Sequence, residues 1–229
     1  LDDIAVFSNA WAGKLFSRHD SPTARIFCSG ADFKFLISDN TKLKLIGNPD
    51  VIWSAELKNE SILDIKFSSD NYFYILSKSS VYSFSVEDNA LKKIISGAAF
   101  TSFELTSDKS IVLGTSNGYQ MFDTTGNPDG EKMIQLPWTE ITTIKEIDGK
   151  LWFGSTKGAF MLREDRKFNY YFGQRWLPAD EVIHISEGPE NSILVLTDKG
   201  LGQICFTEMT LEAKAMIRCD QSFCTFSIG

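Results

Sequence analysis

The sequence predicts an all-β fold of the β-propeller class, most simply a ring of six four-stranded blades. Three observations predict it. Similar hairpins recur about every 40 residues, a short apolar strand precedes each hairpin, and a further strand follows it. Repeated antiparallel units of this length are typical of propeller blades, because each blade needs neighbours to cover its two faces.

The hairpins form the clearest part of the repeat. Each consists of an apolar strand, a polar tight turn that favours Gly or Asn at positive φ, and a strand of alternating apolar residues. Four copies align without gaps, at FYILSKSSVYSF (73–84), IVLGTSNGYQMF (111–122), LWFGSTKGAFML (151–162) and ILVLTDKGLGQI (193–204). A looser fifth copy covers residues 33–46.

An inner strand is predicted ahead of each hairpin. These strands are ARIF (24–27), ILDI (62–65), FTSF (100–103), ITTI (141–144) and VIHI (182–185). Their starts are 38, 38, 41 and 41 residues apart, so another is expected near residue 223, where the sequence is FCTF (223–226).

A fourth strand is predicted after each hairpin. These strands are VIWSAEL (51–57), ALKKII (90–95), EKMIQL (131–136), KFNYYF (167–172) and AKAMIRC (213–219). The tetrapeptide GNPD occurs twice, at 47–50 and 126–129, each time between the third and fourth strands, where its residues favour a chain reversal.

The spacing predicts one domain over residues 1–229. Its complete blades cover approximately 24–61, 62–99, 100–140, 141–181 and 182–222. A sixth blade is shared, with 223–229 supplying its inner strand and residues 4–8 and 13–17 its outer strands, which closes the ring and protects an edge. Because residues 223–229 and 1–23 are few for a blade, five blades with an irregular N-terminal segment are the alternative.

Composition and charge argue against several functional classes. The net charge of -7 argues against general binding of nucleic acid or anionic membranes, although a local basic patch remains compatible with it. No apolar run reaches the roughly 18 residues that cross a bilayer, so no membrane span is predicted and the composition is that of a soluble protein. Cys28, Cys205, Cys219 and Cys224 are too sparse for a disulfide framework and lack zinc-site spacing, and their redox state stays open.

The sequence predicts no catalytic residues, no metal and no cofactor. Residues 114–118 match the G-x-S-x-G motif of hydrolases, but that motif needs a strand-to-helix turn and here it coincides with a hairpin turn. Nucleotide-binding glycine loops and HExxH are absent.

Polar residues recur at the third position of the inner strands. The six positions hold Ile26, Asp64, Ser102, Thr143, His184 and Thr225. Alternation along a strand directs one side chain in two towards the channel of a propeller, so Asp64 and His184 are candidate ligands for an ion or small molecule. The alternative is that these residues are hydrogen-bonded groups that tie neighbouring blades together.

Tryptophans give a second set of candidates. Trp53, Trp138 and Trp176 lie in or near segments that lead into the next inner strand. With Arg175 and Asp180 they form a candidate interaction surface, since Trp and Arg are favoured at binding hot spots. They are alternatively wedges between blades, while Trp11 and Trp152 are predicted core residues. The mixed charges of 163–167 predict a solvated hairpin tip.

The stretch ITTIKEIDGKLWFGSTKGAFML (141–162), followed by RWLPADEVIHI (175–185), resembles the propeller repeat of two-component regulators. That repeat has an inner strand, a D-G turn, an LW-I/F-G-T-x-x-G-L hairpin and a later G-L-P-x-x-x-V. The resemblance is good in the fourth blade, moderate in the third and fifth, and weak in the first two. It implies a propeller of the kind that forms extracytoplasmic sensory regions of receptors, and therefore an extracytoplasmic location.

The function that the sequence favours is non-catalytic binding or scaffolding, with loops that recognise a protein partner. This rests on the missing catalytic constellation and on the fold. The alternative is carbohydrate binding or processing, in which Trp138 and Trp176 stack on sugars and Asp64, His184 or Asp180 supply polar groups.

Overall fold

The computed structural model describes residues 3–7, 15–20, 26–32, 34–47 and 50–206. In these residues it contains β-strands joined by turns and no helix. Membrane-spanning helices are accordingly not found in the described part of the chain. The chain divides into two compact units, Leu1–Phe100 and Thr101–Gly229, which are described in turn.

The described residues of the first unit form three antiparallel sheets. Sheet I pairs β1 (Asp3–Phe7) with β2 (Leu15–Asp20). Sheet II has the order β3 (Ile26–Ser29), β4 (Phe35–Asp39), β5 (Lys42–Ile46), β6 (Val51–Glu56). Sheet III has the order β7 (Ile62–Ser68), β8 (Tyr72–Ser77), β9 (Ser80–Ser85), β10 (Ala90–Ser96).

The core of the first unit combines apolar side chains of sheets II and III. Leu36 and Leu45 of sheet II and Phe73 and Phe84 of sheet III are fully buried in it. Trp53, on β6, packs against Phe84 with ring centroids 4.2 Å apart, so this tryptophan is a wedge between two sheets.

Three more antiparallel sheets occur in the described residues that follow, beginning with β11 (Phe100–Leu105), whose first residue is the last of the first unit. Sheet IV pairs β11, β12 (Ile111–Thr115) and β13 (Gly118–Phe122). Sheet V has the order β14 (Ile141–Ile147), β15 (Lys150–Ser155), β16 (Gly158–Leu162), β17 (Phe168–Tyr171). Sheet VI pairs β18 (Val182–Gly188), β19 (Ser192–Thr197) and β20 (Gly200–Cys205).

Two clusters of buried side chains hold the second unit together, one on each face of sheet V. Val112 and Tyr119 of sheet IV meet Phe153 and Phe160 of sheet V in the first cluster. The second joins Trp152, Tyr171 and other residues of sheet V to Ile185 and Val195 of sheet VI. Trp152 is thus confirmed as a core residue, whereas Trp11 lies outside the described residues.

The same tight turn closes the middle hairpin of four sheets. A Ser or Thr hydroxyl at the end of the second strand donates a hydrogen bond to the carbonyl three residues later. The pairs are Ser77 with Ser80, Thr115 with Gly118, Ser155 with Gly158 and Thr197 with Gly200, at 2.8 to 3.1 Å. This local bond explains why the hairpins align without gaps, and it identifies residues 114–118 as part of a hairpin.

A β-bulge recurs near the start of the first strand in sheets III, V and VI. The pairing register shifts between Ile62 and Asp64, between Ile141 and Thr143, and between Val182 and His184. Because a bulge increases twist and leaves one residue unpaired, it frees Thr142 to bond elsewhere. Its hydroxyl donates to the carbonyl oxygen of Val182 at 2.6 Å and ties sheet V to sheet VI.

The strand predicted at 131–136 is wrong. Two isolated bridges join β13 to the chain that follows it, Phe122 with Pro128 and Tyr119 with Met133, and only the second falls within 131–136. Four residues separate the bridges on one side and two on the other, and Pro128 has no N–H to donate, so a regular ladder cannot form. The preceding turn is held by Asp123, whose pKa is lowered by hydrogen bonds from Thr125 and Asn127.

The other predicted strands have mixed outcomes. The inner strand predicted at 24–27 is described from Ile26 and runs to Ser29, and the strand predicted at 167–172 spans Phe168–Tyr171. The strands predicted at 213–219 and 223–226 lie outside the described residues, so the shared blade and the blade boundaries stay predictions.

Glu60, just before β7, joins three strands of sheet III. Its carboxylate accepts hydrogen bonds from Ser77, from Ser80 (3.0 Å) and Tyr82 (2.9 Å), and from the Lys93 ammonium (2.8 Å). Burial opposes ionisation of this group, but the bonds from Lys93, Ser77, Tyr82 and Ser80 lower its pKa to about 2. The sequence analysis did not single out Glu60.

We expect Glu60→Gln to lower the free energy of unfolding at neutral pH by about 1 to 3 kcal/mol, because charge-assisted bonds become neutral ones. The folded-state pKa lies below the ordinary value of 4.5, so this stabilisation is complete above pH 4.5 and is lost as pH falls towards 2. Urea unfolding at a series of pH values should show the wild type and variant converging across that window. Glu87→Gln, in an exposed turn of the same sheet, is the control. An equal effect of both substitutions would disprove the stabilising role of the Glu60 hydrogen bonds.

Candidate functional site

An open groove of about 880 Å³ lies along β17, the last strand of sheet V. It is called the β17 groove below. Its lining residues are Pro137, Trp138, Lys157, Arg166, Lys167, Phe168, Tyr170, Phe172 and Asp180. Four of these nine side chains are aromatic and three are cationic, so the groove combines apolar surface with positive charge.

The aromatic residues of the groove follow from the alternation of a β-strand. Phe168, Tyr170 and Phe172 are two residues apart, so they share one side of β17 and its continuation. Phe168 packs edge-on against buried Phe160, with centroids 5.5 Å apart. Tyr170 and Phe172 are 56% and 48% exposed, which is high for large rings on an otherwise buried sheet.

Trp138 fixes the position of these rings. It comes from the segment that leads into β14, and its ring is half-buried. Tyr170 and Phe172 meet it in edge-to-face geometry, with centroids 6.2 and 5.6 Å away, and Phe160 lies beneath it at 6.2 Å. Aromatic pairs prefer this geometry, so the exposed rings are held in place before any ligand binds.

The cations of the groove come from opposite ends of β17. Lys157 belongs to the β15–β16 turn, at the end where Phe172 lies. Arg166 and Lys167 belong to the β16–β17 turn, at the end where Phe168 lies. Lys167 is 3.9 Å from Asp165, which also pairs with Arg163 at 3.2 Å, so the charged hairpin tip predicted for 163–167 is confirmed.

Gly158 brings the turn close to the aromatic rings. Its φ is 137°, and a Cβ atom there would lie 2.5 Å from the carbonyl oxygen of Tyr171 and 3.0 Å from the ring of Trp138. No side chain larger than hydrogen fits this space without moving the backbone of β17. The glycine therefore sets the shape of this end of the groove.

The structure separates Trp138 from Trp176. Trp176 packs edge-on against Tyr171, with centroids 5.4 Å apart, and Tyr171 faces the opposite side of β17 from Tyr170. Arg175 lies over the Trp176 ring at 5.4 Å. Burial raises the pKa of Tyr171, which also stacks on Trp152. Trp138 and Trp176 thus contact opposite faces of sheet V.

The polar candidates lie on different elements, one in the first unit and two in the second. Asp180 lines the β17 groove, but one of its oxygens accepts a hydrogen bond from the Gly173 backbone at 2.6 Å. Asp64 lies in the first unit on β7, where it accepts a bond from the Ile65 N–H, and His184 lies exposed on β18 of the second unit.

The remaining inner-strand positions of the second unit serve packing. Thr143 is buried, and its methyl group lies over Gly154, where a Cβ atom would come within 2.6 Å. Ser102 lies over Gly114 in the same way. A polar tie between sheets V and VI is made instead by Thr142, one position earlier, which the sequence analysis did not select.

The thiols that the structure describes are not bonded to each other. Cys28 and Cys205 are free in this part of the chain, whereas Cys219 and Cys224 lie outside it. Burial, reinforced by the Asp64 carboxylate, raises the pKa of the Cys28 thiol to about 11, which suppresses its reactivity. No cluster of three His, Cys, Asp or Glu side chains suited to a metal occurs among the described residues.

Tyr170, Phe172 and Lys157 are groove residues that sequence reasoning missed. The signal for Tyr170 and Phe172 was present in KFNYYF, where an aromatic residue occupies alternate positions, whereas Lys157 lies in the β15–β16 turn and had no such signal. A strand was predicted there, but the sequence does not say that its aromatic side stays partly uncovered.

Several solved structures are similar to this chain. Virginiamycin B lyase from Staphylococcus aureus, in a catalytically inactive form with quinupristin, has a TM-score of 0.65 and 13% identity, over 82% of this chain and 69% of the lyase. The extracellular domain of a protein described as a hybrid two-component system, from B. thetaiotaomicron, has a TM-score of 0.64 and 17% identity, over 94% of this chain and 30% of that chain. A protein of unknown function from Bacteroides caccae has a TM-score of 0.61 and 8% identity, over 90% and 86%.

At these identities the comparisons show the fold alone, which is of the β-propeller type with five sheets of three or four strands. No protein-family model matches the chain, and no curated protein sequence matches it. The blade count and the specific repeat family therefore stay predictions.

We expect Gly158→Ala to lower the free energy of unfolding by more than about 2 kcal/mol, because its methyl group would collide with the β17 backbone at a φ that favours glycine. Gly173→Ala is the matched control. Its φ is 69° and nothing lies within 4 Å of the added Cβ atom, so only backbone strain of about 1 kcal/mol is expected. Urea unfolding followed by tryptophan fluorescence measures both. Equal losses would show that the close approach at Gly158 is unimportant.

Proposed function

We propose that this chain is a non-catalytic binding module and that its β17 groove recognises a protein partner. The observation that carries the proposal is the row of exposed aromatic rings, Tyr170 and Phe172, held by Trp138. Exposed rings fixed in advance lose little conformational freedom on binding, and aromatic residues are enriched at the centres of protein interfaces.

The flanking charges support the same proposal. Lys157, Arg166 and Lys167 surround the rings, which matches the usual arrangement of a protein interface, an apolar centre within a polar rim. The lining residues include no Ser, Cys or His that would form a nucleophile and base pair with the lining carboxylate, Asp180, one oxygen of which accepts a hydrogen bond from the Gly173 N–H. These features favour recognition over catalysis.

The fold comparisons are compatible with binding and with an extracytoplasmic location. One similar structure is the extracellular domain of a two-component system, and propeller folds serve as binding domains. We propose the same location for this chain. The resemblance of residues 141–162 and 175–185 to the two-component-regulator repeat supports this proposal.

Carbohydrate binding is the second candidate. The groove is concave with aromatic walls, which a sugar-stacking site also requires. For this alternative, the sequence favoured a sugar site formed by Trp138 and Trp176, but Trp176 contacts the other face of sheet V. In this proposal the stacking surface is therefore formed by Trp138, Tyr170 and Phe172.

Replacing Tyr170 and Phe172 together by Ser tests both candidates. The partner is captured from an extract of the source, purified, and titrated calorimetrically against each form of the protein. We expect the double variant to bind at least about tenfold more weakly, since loss of two interface rings commonly costs more than about 1.4 kcal/mol. Unfolding curves should change little, because both rings are about half exposed.

Tyr72→Ser is the matched control, because Tyr72 is a partly exposed tyrosine of the first unit that does not line the groove. Undiminished partner affinity in the double variant would rule out the groove as the protein-binding site. Binding of uncharged glycans on an array by the wild type, lost in the double variant, would select the carbohydrate function.

We also propose that residues 223–229 pair with the N-terminal segment to complete a sixth blade. The two-stranded sheet of β1 and β2 near the start of the chain supports this proposal. Deleting residues 222–229 should lower the melting temperature by 10 °C or more, roughly the effect of losing several kcal/mol in a chain of this size. Deleting residues 228–229 is the milder control. An unchanged melting temperature after the longer deletion would favour five blades.

A further inference from the structure

We infer that the β17 groove takes an extended acidic segment of the partner, with carboxylates near both ends of a short apolar stretch. This inference deepens the proposed function and rests on it. The groove carries its apolar rings in the middle and its cations at the two ends, so the ligand should carry the complementary order.

The two ends are defined by the hairpin turns of sheet V. Lys157 follows β15 at one end, and Arg166 precedes β17 at the other, because adjacent hairpin turns of an antiparallel sheet lie at opposite ends of its strands. β17 has four residues, so the turns are separated by roughly 13 Å of strand. An extended peptide spans that distance with about four residues, which sets the spacing of the two acidic positions.

The local charge favours an acidic ligand. The groove is lined by three cations and one carboxylate, in a chain whose net charge is -7. Asp165 compensates Lys167 in part, at 3.9 Å, while Lys157 and Arg166 have no ion pair among the described residues. Opposite charge at the ends of the groove therefore fixes the register of a bound segment.

The apolar middle selects an extended chain rather than a compact anion. Phe168, Tyr170 and Phe172 follow one another at the period of a β-strand, so their rings present a row of contacts. β17 is the last strand of sheet V and pairs with one described neighbour, β16, so we propose that a bound segment adds a strand at its other edge.

The test uses fluorescein-labelled peptides and fluorescence anisotropy. The first peptide carries a pair of glutamates on each side of an apolar tetrapeptide that includes tyrosine. The second has the same composition with all glutamates at one end, and the third has lysines in place of the glutamates. We expect the first to bind at least about tenfold more tightly than the other two, and its affinity to fall as salt is raised.

Charge reversal supplies the matched variants. Lys157→Glu and Arg166→Glu should each weaken the first peptide about tenfold. Lys199→Glu should have no effect, because Lys199 occupies the same position in the β19–β20 turn as Lys157 in the β15–β16 turn but does not line the groove.

Three results would overturn the inference. They are equal binding of the first two peptides, equal effects of Lys157→Glu and Lys199→Glu, and preferential binding of a labelled polyuronate oligosaccharide over the first peptide. If the partner's affinity depends on Tyr170 and Phe172 but not on Lys157 or Arg166, the proposed function stands and the acidic segment is wrong. If it depends on none of the four, the proposed function fails with it.

Discussion

The need to cover both faces of middle strands such as β9 and β12 is the constraint on which this structure depends. All six residues of β9 and all five of β12 are buried, so their side chains are committed to packing against adjacent strands and sheets. An exposed functional side chain cannot come from such strands. Function is therefore left to the outermost strands, the turns and the connectors, which is where the β17 groove lies.

The outer strands differ in what they leave exposed. In sheet III, Lys93 of β10 forms an ion pair with Glu60. In sheet II, the exposed residues of β6 include the aliphatic Val51 and Ile52. Only β17, among the outer strands that the structure describes, combines a row of aromatic rings with cations at both ends. The same kind of antiparallel sheet thus carries a partly buried carboxylate network in sheet III and the proposed binding surface in sheet V.

Sequence periodicity predicts what depends on neighbours along the chain. The hairpins, their Ser or Thr turns and most strands were predictable because a turn bond spans three residues. The irregular conformation of residues 131–136 was not predictable. Their apolar residues follow the pattern of a strand, while the two bridges to β13 differ in register. The separation of Trp138 from Trp176 was equally unpredictable. Both residues lie in connecting segments, which lack the strand alternation that would show which face of the sheet a side chain contacts.

The net charge of the whole chain likewise does not predict the charge of an individual site. A charge of -7 opposes anionic partners at long range, but screening limits that repulsion to about 8 Å at physiological salt. At contact distance, the attraction between a ligand carboxylate and Lys157 or Arg166 outweighs the screened repulsion from the rest of the surface. The acidic remainder of the surface then penalises misplaced acidic segments, so a protein with acidic composition can bind an acidic ligand selectively in one basic groove.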